Sequence, residues 1–360
     1  MTRARHILLT ADALGGVWQY STGLAAALLP LGYEVTLAVL GPALDEAQRA
    51  STAAIANLRL MQTGLDLEWL ADEPDRMIGA ERRLAEMAGD LRADIVQLHS
   101  PALAGAGRYP CPVVAVLHSC VATWWSAVRG GPPPQDFAWR TALVEKGLRQ
   151  ATLSIAPSMA FAAAAQRQYG VAPVPVHNGR TLPVQPQAAQ DCIFTAGRLW
   201  DEGKNVHVLD EAASHLSVPF KAAGPTRSPH GESVAFGTLH LLGVLDEAAL
   251  ARHLGARPIF VSAALYEPFG LAVLEAAIAG CPLILSDIPT FRELWNGAAL
   301  FVDPRDPRAF ARAIEGLIED RAARAEAGRR ARERAQRYTP AAMAGRMAAL
   351  YDQVQSRAAA

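Results

Sequence analysis

Two acids with seven residues between them, Glu267 and Glu275, stand in the stretch 261–280, Val-Ser-Ala-Ala-Leu-Tyr-Glu-Pro-Phe-Gly-Leu-Ala-Val-Leu-Glu-Ala-Ala-Ile-Ala-Gly. An apolar strand at 259–261 runs into a turn carrying Glu267, and a helix opens at Gly270 and Leu271 with Glu275 inside it. The first amides of such a helix lack intrahelical partners and its dipole is positive there, so the turn attracts an anion. A carboxylate beside it can accept hydrogen bonds from hydroxyls such as those of a sugar. Spacing alone favours a plainer reading, in which Glu267 caps the helix.

Cations follow another strand. Residues 197–205 read Gly-Arg-Leu-Trp-Asp-Glu-Gly-Lys-Asn after the apolar run 193–196, so Arg198 and Lys204 can both reach one point and neutralise a diphosphate. Loop cations are usually surface charges. This chain, however, chooses arginine almost everywhere, and its only lysines are Lys146, Lys204 and Lys221, so a lysine at this place carries weight. After the first strand comes Asp12-Ala13-Leu14-Gly15-Gly16, where Gly15 and Gly16 let the backbone pass close to a phosphate. His118 ends the run 113–117 and could bond a hydroxyl or steady charge at a reacting carbon, with His99, ending 95–98, as its competitor. An isolated histidine of either kind is also a common core residue.

The elements that must hold these groups are short apolar runs alternating with helical patterns. Residues 7–10, 35–40, 58–61, 95–98, 113–117 and 153–156 read as buried strands, with helices at 17–29, 75–88 and 135–150 between them. The second half repeats the scheme with strands at 193–196, 220–223, 259–261, 283–286 and 300–302. Alternation of this kind gives α/β architecture, here two doubly wound parallel sheets. Residues 181–189, rich in Pro and Gln, read as a linker. The Arg-rich helix 321–337 reads as a solvated face of mixed charge, since Glu326 and Glu333 are interleaved with its arginines. Thr123, Trp124 and Trp125 precede the Gly/Pro-rich run 130–134 and read as a broken loop that packs beneath itself or stacks on a sugar or lipid-linked acceptor.

At 360 residues the chain is long enough for two cores. A net charge of −1 gives no reason to expect nucleic acid. The apolar start reads as a core strand rather than a secretory peptide, and no uncharged run reaches the roughly 20 residues that span a bilayer, so a cytoplasmic protein is expected. Cys111, Cys120, Cys192 and Cys281 have neither zinc spacing nor disulfide density and read mostly as buried small hydrophobes. The acidic run 72–75 precedes a helix and reads as capping rather than metal binding.

The Glu267–Glu275 pattern resembles the Glu-x7-Glu signature of retaining glycosyltransferases with the GT-B fold, in particular family 4 (glycosyl transferases group 1), and Arg198 with Lys204 fits that family's Arg-x5-Lys pair. Smaller matches are Gly32-Tyr33-Glu34-Val35, Val176-His177-Asn178-Gly179 and residues 242–247, so the resemblance spans nearly the whole chain. Val261 before Ser262, where the family usually has Pro, and Arg180-Thr181, where an Asp is common, depart from the pattern. The resemblance implies two Rossmann-like domains facing across a cleft: an acceptor side at 1–180 with 340–360, a donor side at 190–339, and the linker 181–189.

It further implies transfer of a sugar from a nucleoside-diphosphate sugar to an acceptor hydroxyl of a glycan, glycolipid or small molecule, as in bacterial cell-surface polysaccharide synthesis. No metal and no other cofactor is expected, and association with the inner face of a membrane is at most peripheral. His118, Arg198, Lys204 and Glu267 are the implied catalytic residues. Gly15, Gly16, Val244, Phe269, Gly270, Leu271 and Glu275 are the implied substrate contacts, with Glu275 on ribose hydroxyls. The alternatives are a nucleotide-sugar epimerase or phosphorylase of the same fold, or a catalytically silent nucleotide-sugar-binding subunit.

Overall fold

Apolar runs without polar alternation must be covered on both faces, and both sheets satisfy this. The computed structural model describes residues 4–105, 108–188 and 190–359. Its first strands are β1 (Arg5–Asp12), β2 (Tyr33–Leu40), β3 (Leu58–Gln62), β4 (Ile95–Leu98), β5 (Val113–Val116), β6 (Leu153–Ala156) and β7 (Val174–Pro175). The second set is β8 (Ile193–Ala196), β9 (Phe220–Ala223), β10 (His240–Gly243), β11 (Ile259–Ser262), β12 (Leu283–Ser286) and β13 (Leu300–Val302). The sheets run in the orders β3-β2-β1-β4-β5-β6-β7 and β10-β9-β8-β11-β12-β13, with every pairing parallel. The order reverses between β1 and β4 in one sheet and between β8 and β11 in the other. In an open parallel sheet, ligands bind beyond the carboxyl ends of the strands at such a reversal.

Each sheet separates two cores. In β1, Ile7 and Leu9 face a cluster that includes Leu24 and Leu28 of the helix Gly16–Leu28 and Met347 and Tyr351 of the last helix, Pro340–Ala359. Leu8 faces the opposite cluster, with Leu84 of the helix Pro74–Asp90. In the second sheet, Phe194 and Phe260 meet Leu274 of the helix Leu271–Ala279 and Ala331 of the helix Arg321–Ala335. Ile193, Ile259 and Ile284 meet Phe310 and Ile314 of the helix Pro307–Glu319 on the other face. The chain divides into one unit of Met1–Ser126, Gly131–Gly179 and Pro340–Ala360, and another of Ala127–Gly130 and Arg180–Thr339.

Several elements depart from the sequence expectation. The first strand continues to Asp12, because Ala11 and Asp12 still pair with Val39 and Leu40. Trp124 and Trp125 lie on a helix, Val121–Val128, and not in the broken loop. Their rings are 5.9 Å apart and Trp125 is 6.0 Å from Phe137. The expected linker is laid along the second unit: Leu182 is buried in its core and the Gln187 amide donates to the Gly255 carbonyl at 3.0 Å. Ala189, its last residue, lies outside the described residues. Glu73 is the N-cap of the helix Pro74–Asp90 but makes no side-chain capping bond, so the acidic run acts on that helix through its dipole alone. Cys120, Cys192 and Cys281 are buried and Cys111 is half-buried, all as free thiols.

Candidate functional site

In the second unit, β8 ends at Ala196 and the chain passes through Gly197 into a short 3-10 turn, Glu202–Lys204. Asp201 caps that turn, accepting from the Gly203 amide at 2.9 Å, and also takes Arg198 Nη2 at 2.8 Å. The turn is stitched to the loop after β11 by the Leu265 amide, which donates to the Gly203 carbonyl at 2.9 Å. Asn205 ties in a third loop, its Nδ2 donating to the carbonyls of Ala263 at 3.0 Å and Pro304 at 2.7 Å. This bracing sets Lys204 against Glu267, Nζ to Oε2, at 2.5 Å.

Gly270 is the N-cap of the helix Leu271–Ala279, in a left-handed conformation (φ 93°) and with no side-chain capping bond. Glu267 therefore does not cap the helix. A Cβ on Gly270 would stand 3.3 Å from Glu267 Cγ, so the helix start lies against that side chain. The lysine, the acid and a helix N-terminus with free amides come together beyond the carboxyl ends of β8 and β11, where the order of this sheet reverses. Phe269 is buried beside them, edge-on to Tyr338 at 5.7 Å.

A close backbone approach holds the first of these turns. A Cβ on Gly224, at the end of β9 and with φ 138°, would stand 1.7 Å from the Gly197 carbonyl oxygen. Gly224→Ala is therefore expected to lower stability by about 1–3 kcal/mol, the usual range for overpacking, and to displace the Arg198–Lys204 turn. Urea melts and nucleotide affinity measured on one preparation check both effects.

The other predicted residues of this unit are not gathered at that point. Arg198 is 52% exposed and engages Asp201, with its guanidinium 5.7 Å over the Trp200 ring. Val244, just past β10, is 75% exposed. Glu275 is buried inside its helix and receives Arg180 Nε on Oε1 at 2.8 Å, while Arg180 Nη2 reaches Glu247 at 2.5 Å. Burial pushes the Glu275 carboxyl up and Arg180 opposes this. Burial also works against the charge of Arg180, but Glu275 and Glu247 outweigh it and the guanidinium is held more firmly protonated.

The first unit collects a second group of polar residues at the carboxyl ends of β1, β4 and β5. Gly15 (φ 75°) is the N-cap of the helix Gly16–Leu28, again without a side-chain bond, and Gly15 and Gly16 are exposed. His118, two residues past β5, shares a 2.7 Å hydrogen bond with His99, Nε2 to Nδ1. The Tyr20 ring meets both edge-on, at 4.6 Å from His118 and 5.1 Å from His99. His99 Nε2 is buried without a hydrogen-bond partner. An orphaned N–H is rarer than an orphaned acceptor, so the proton belongs on His99 Nδ1, which donates to His118 Nε2. Burial lowers the His118 pKa to about 3 and holds His99 well below its ordinary value.

Sequence reasoning missed Asp12, Glu68 and Trp69 in this group. Burial raises the Asp12 pKa to about 7, against a hydrogen bond from the Trp69 side chain and with help from the charge of Glu68. Glu68 accepts from Ser100 Oγ at 2.9 Å, and burial raises its pKa too. The signal was the polar end of an otherwise apolar strand at Asp12. Glu68 and Trp69 lie in a loop where no motif marks them.

The unfolded chain gives up the Asp12 proton near 3.8 while the folded chain keeps it to about 7. The stability contributed by Asp12 is thus full below 3.8 and is lost as pH rises toward 7. The histidines act in the opposite sense: the unfolded chain protonates near 6.5 and folded His118 only near 3, so their contribution falls as pH drops through that window. Asp12→Asn is expected to gain on the parent protein between pH 5 and pH 8 by about 1–2 kcal/mol, below the full shift because the side chain keeps some exposure. Urea denaturation at the two pH values reads this; a constant difference would place the Asp12 carboxyl in water.

Among the described residues no group of three or more His, Cys, Asp or Glu is placed to hold a metal ion, and no helix is long and apolar enough to cross a membrane.

Comparison with known proteins bears on the family and the fold. Residues 14–180 match the family described as Glycosyltransferase Family 4, and residues 190–320 match that described as Glycosyl transferases group 1. The chain is 28% identical to glycogen synthase of Mycobacterium tuberculosis, over 91% of this chain and 87% of that protein. It is 31% identical to phosphatidyl-myo-inositol mannosyltransferase of Mycolicibacterium smegmatis, over 33% of this chain and 31% of that one. Among solved structures, sucrose-phosphate synthase from Thermosynechococcus elongatus superposes with a TM-score of 0.80 at 18% identity, covering 98% of this chain and 100% of that one. Anabaena HepE, solved with UDP-glucose, gives 0.74 at 16%, covering 97% and 99%. The two parallel-sheet domains and these matches define a glycosyltransferase of the GT-B type. Within that class, the chain belongs to glycosyltransferase family 4, the group 1 enzymes.

Proposed function

We propose that the chain transfers a hexose from a nucleoside-diphosphate sugar to a hydroxyl of a glycan or glycolipid, with retention at the anomeric carbon and without a metal ion. The observation that carries this reading is the contact of Lys204 with Glu267 beside the open helix start at Gly270. A cation and free amides stabilise the charge that develops on a departing diphosphate, and the acid holds hydroxyls of the attached sugar. Arg198, on its exposed turn, adds a second cation when it swings from Asp201. Glu275 offers ribose hydroxyls the lone pairs that Arg180 leaves. The UDP-glucose held by Anabaena HepE supports a nucleotide sugar as donor.

In the proposed step the bond from the anomeric carbon to the phosphate oxygen breaks. The acceptor oxygen bonds to the same face of that carbon, and the acceptor proton passes to the leaving phosphate, so no protein nucleophile is needed. In the first unit, His118, His99 and the partly neutral Asp12 supply the polar groups that would orient the acceptor, and the helix start at Gly15 and Gly16 is left exposed. The setting we propose is cytoplasmic, with contact to the inner face of a membrane at most peripheral.

The test is release of nucleoside diphosphate from UDP- and GDP-hexoses with and without a hydroxyl acceptor, followed by NMR of the product. Acceptor-dependent release, an unchanged anomeric configuration and full rate in EDTA are expected. Turnover of donor without acceptor would favour an epimerase, dependence on phosphate a phosphorylase, and binding without any turnover a silent subunit. An inverted product or loss of rate in EDTA would overturn retention or metal independence.

A further inference from the structure

The second unit has another cation-lined hollow, at the opposite ends of its strands. Asp191, Arg257 and Pro282 lie just before β8, β11 and β12 and line a cavity of about 450 Å³ together with residues of the helix Arg321–Ala335. Lys204 and Glu267 follow the far ends of β8 and β11, so four-residue strands of roughly 13 Å separate the two places.

Five arginines, Arg257, Arg321, Arg324, Arg329 and Arg332, line the cavity with a single acid, Asp191. Asp191 is shared, taking the largely buried Arg324 at 2.6 Å and Arg321 at 3.4 Å. Arg329 is held by Glu326 and Glu333. Arg257 and Arg332 have no carboxylate partner among the described residues, and Arg257 spends one Nη2 bond, 3.3 Å long, on the Gln187 carbonyl. These two side chains straddle Gly280: the Cδ of each lies 3.9 Å from where a Cβ on that residue would stand. Gly280 has φ 80°, and a Cβ on Gly328 would stand 2.3 Å from its carbonyl oxygen, so backbone packed on backbone keeps the floor low between the arginines. Of these two arginines, the negative end of the helix Leu271–Ala279 accounts for one and leaves the other without a counter-charge.

The geometry points to a binding site for a small molecule carrying two phosphoryl groups, distinct from the donor site. Its volume is within the usual range for small-molecule sites. Planar guanidinium forks match phosphoryl oxygens two bonds at a time. The ligand chemistry is that of a bisphosphorylated metabolite, and a concave hollow suits a soluble ligand better than a lipid surface. The inference is independent of the donor and acceptor assigned above.

The probes are inorganic pyrophosphate and fructose 1,6-bisphosphate, measured by calorimetry on the Arg198→Ala/Lys204→Ala protein so that the donor cations do not contribute. Binding is expected there, and it should weaken about tenfold or more when Arg257→Gln and Arg332→Gln are added, as loss of two charge-assisted contacts requires. Both side chains are exposed, and in the otherwise native chain the pair of substitutions should leave sugar transfer unchanged. If the pair impairs folding, Arg332→Gln alone carries the test. No binding of either probe, or binding indifferent to these arginines, overturns the site. So does arginine-dependent sedimentation with phosphatidylglycerol vesicles in the absence of probe binding, which would make it a membrane contact.

Discussion

Lys204→Ala is expected to lower turnover by about 10²–10³ while the protein keeps its fold and much of its affinity for donor. A cation placed where charge grows during bond breaking acts more strongly on the transition state than on the bound ground state, so its loss falls on kcat. Lys204 meets this condition because three loops are tied around it: Leu265 to Gly203, and Asn205 to Ala263 and Pro304. The substitution also frees Glu267 from its 2.5 Å partner, which would place an uncompensated carboxylate beside the donor phosphates. Lys204→Arg should recover part of the rate by restoring charge, though not the point geometry. Lys204→Ala/Glu267→Gln separates the two effects: if repulsion from Glu267 were the main loss, the double variant would outperform the single one. Arg198→Ala should cost less than Lys204→Ala, because its guanidinium is half-exposed and turned to Asp201. An unchanged kcat for Lys204→Ala would remove the central group of the proposed site.

The sheets were readable because parallel strands covered on both faces must be continuous apolar runs, as Ile193–Ala196 and Leu283–Ser286 are. What escaped was what burial does not write into the pattern. Strand β7 is two residues long and contains Pro175, and β10 is an edge strand with His240 and Leu241 exposed, so neither gives a core signal. Trp124 and Trp125 stand close to a Gly/Pro-rich run and were read with it, although the helix ends only at Val128.

Within the site, the lysine-poor composition made Lys204 conspicuous, and Glu267 followed from its place between a strand and a helix. Asp12 reads with the glycine turn that follows it, whereas pairing carries the strand through Asp12 and buries its carboxyl. Glu68 belongs to a loop with no internal spacing rule. Arg180 was visible only as a departure from a family pattern. Its role depends on two acids far away in sequence, Glu247 and Glu275, which only the folded chain brings to it.

Arg180 therefore carries the second large expectation. Arg180→Ala should destabilise the protein by about 3–5 kcal/mol, the cost of leaving one member of a buried ion pair without the other. Its side chain and that of Glu275 are 13% and 10% exposed, so water cannot readily replace the guanidinium. Glu247 is half-exposed and should lose little when it is left alone. The double variant Arg180→Ala/Glu275→Gln should recover most of the loss, since a neutral amide tolerates the site better than an orphaned carboxylate, and a thermodynamic cycle in urea measures the coupling. The pair is also a test of the ribose assignment. If Glu275 accepts from donor hydroxyls, Glu275→Gln in the parent chain should raise KM for the nucleotide sugar with a smaller change in kcat. A stability loss with unaltered KM would leave Glu275 as the counter-ion of Arg180 and nothing more.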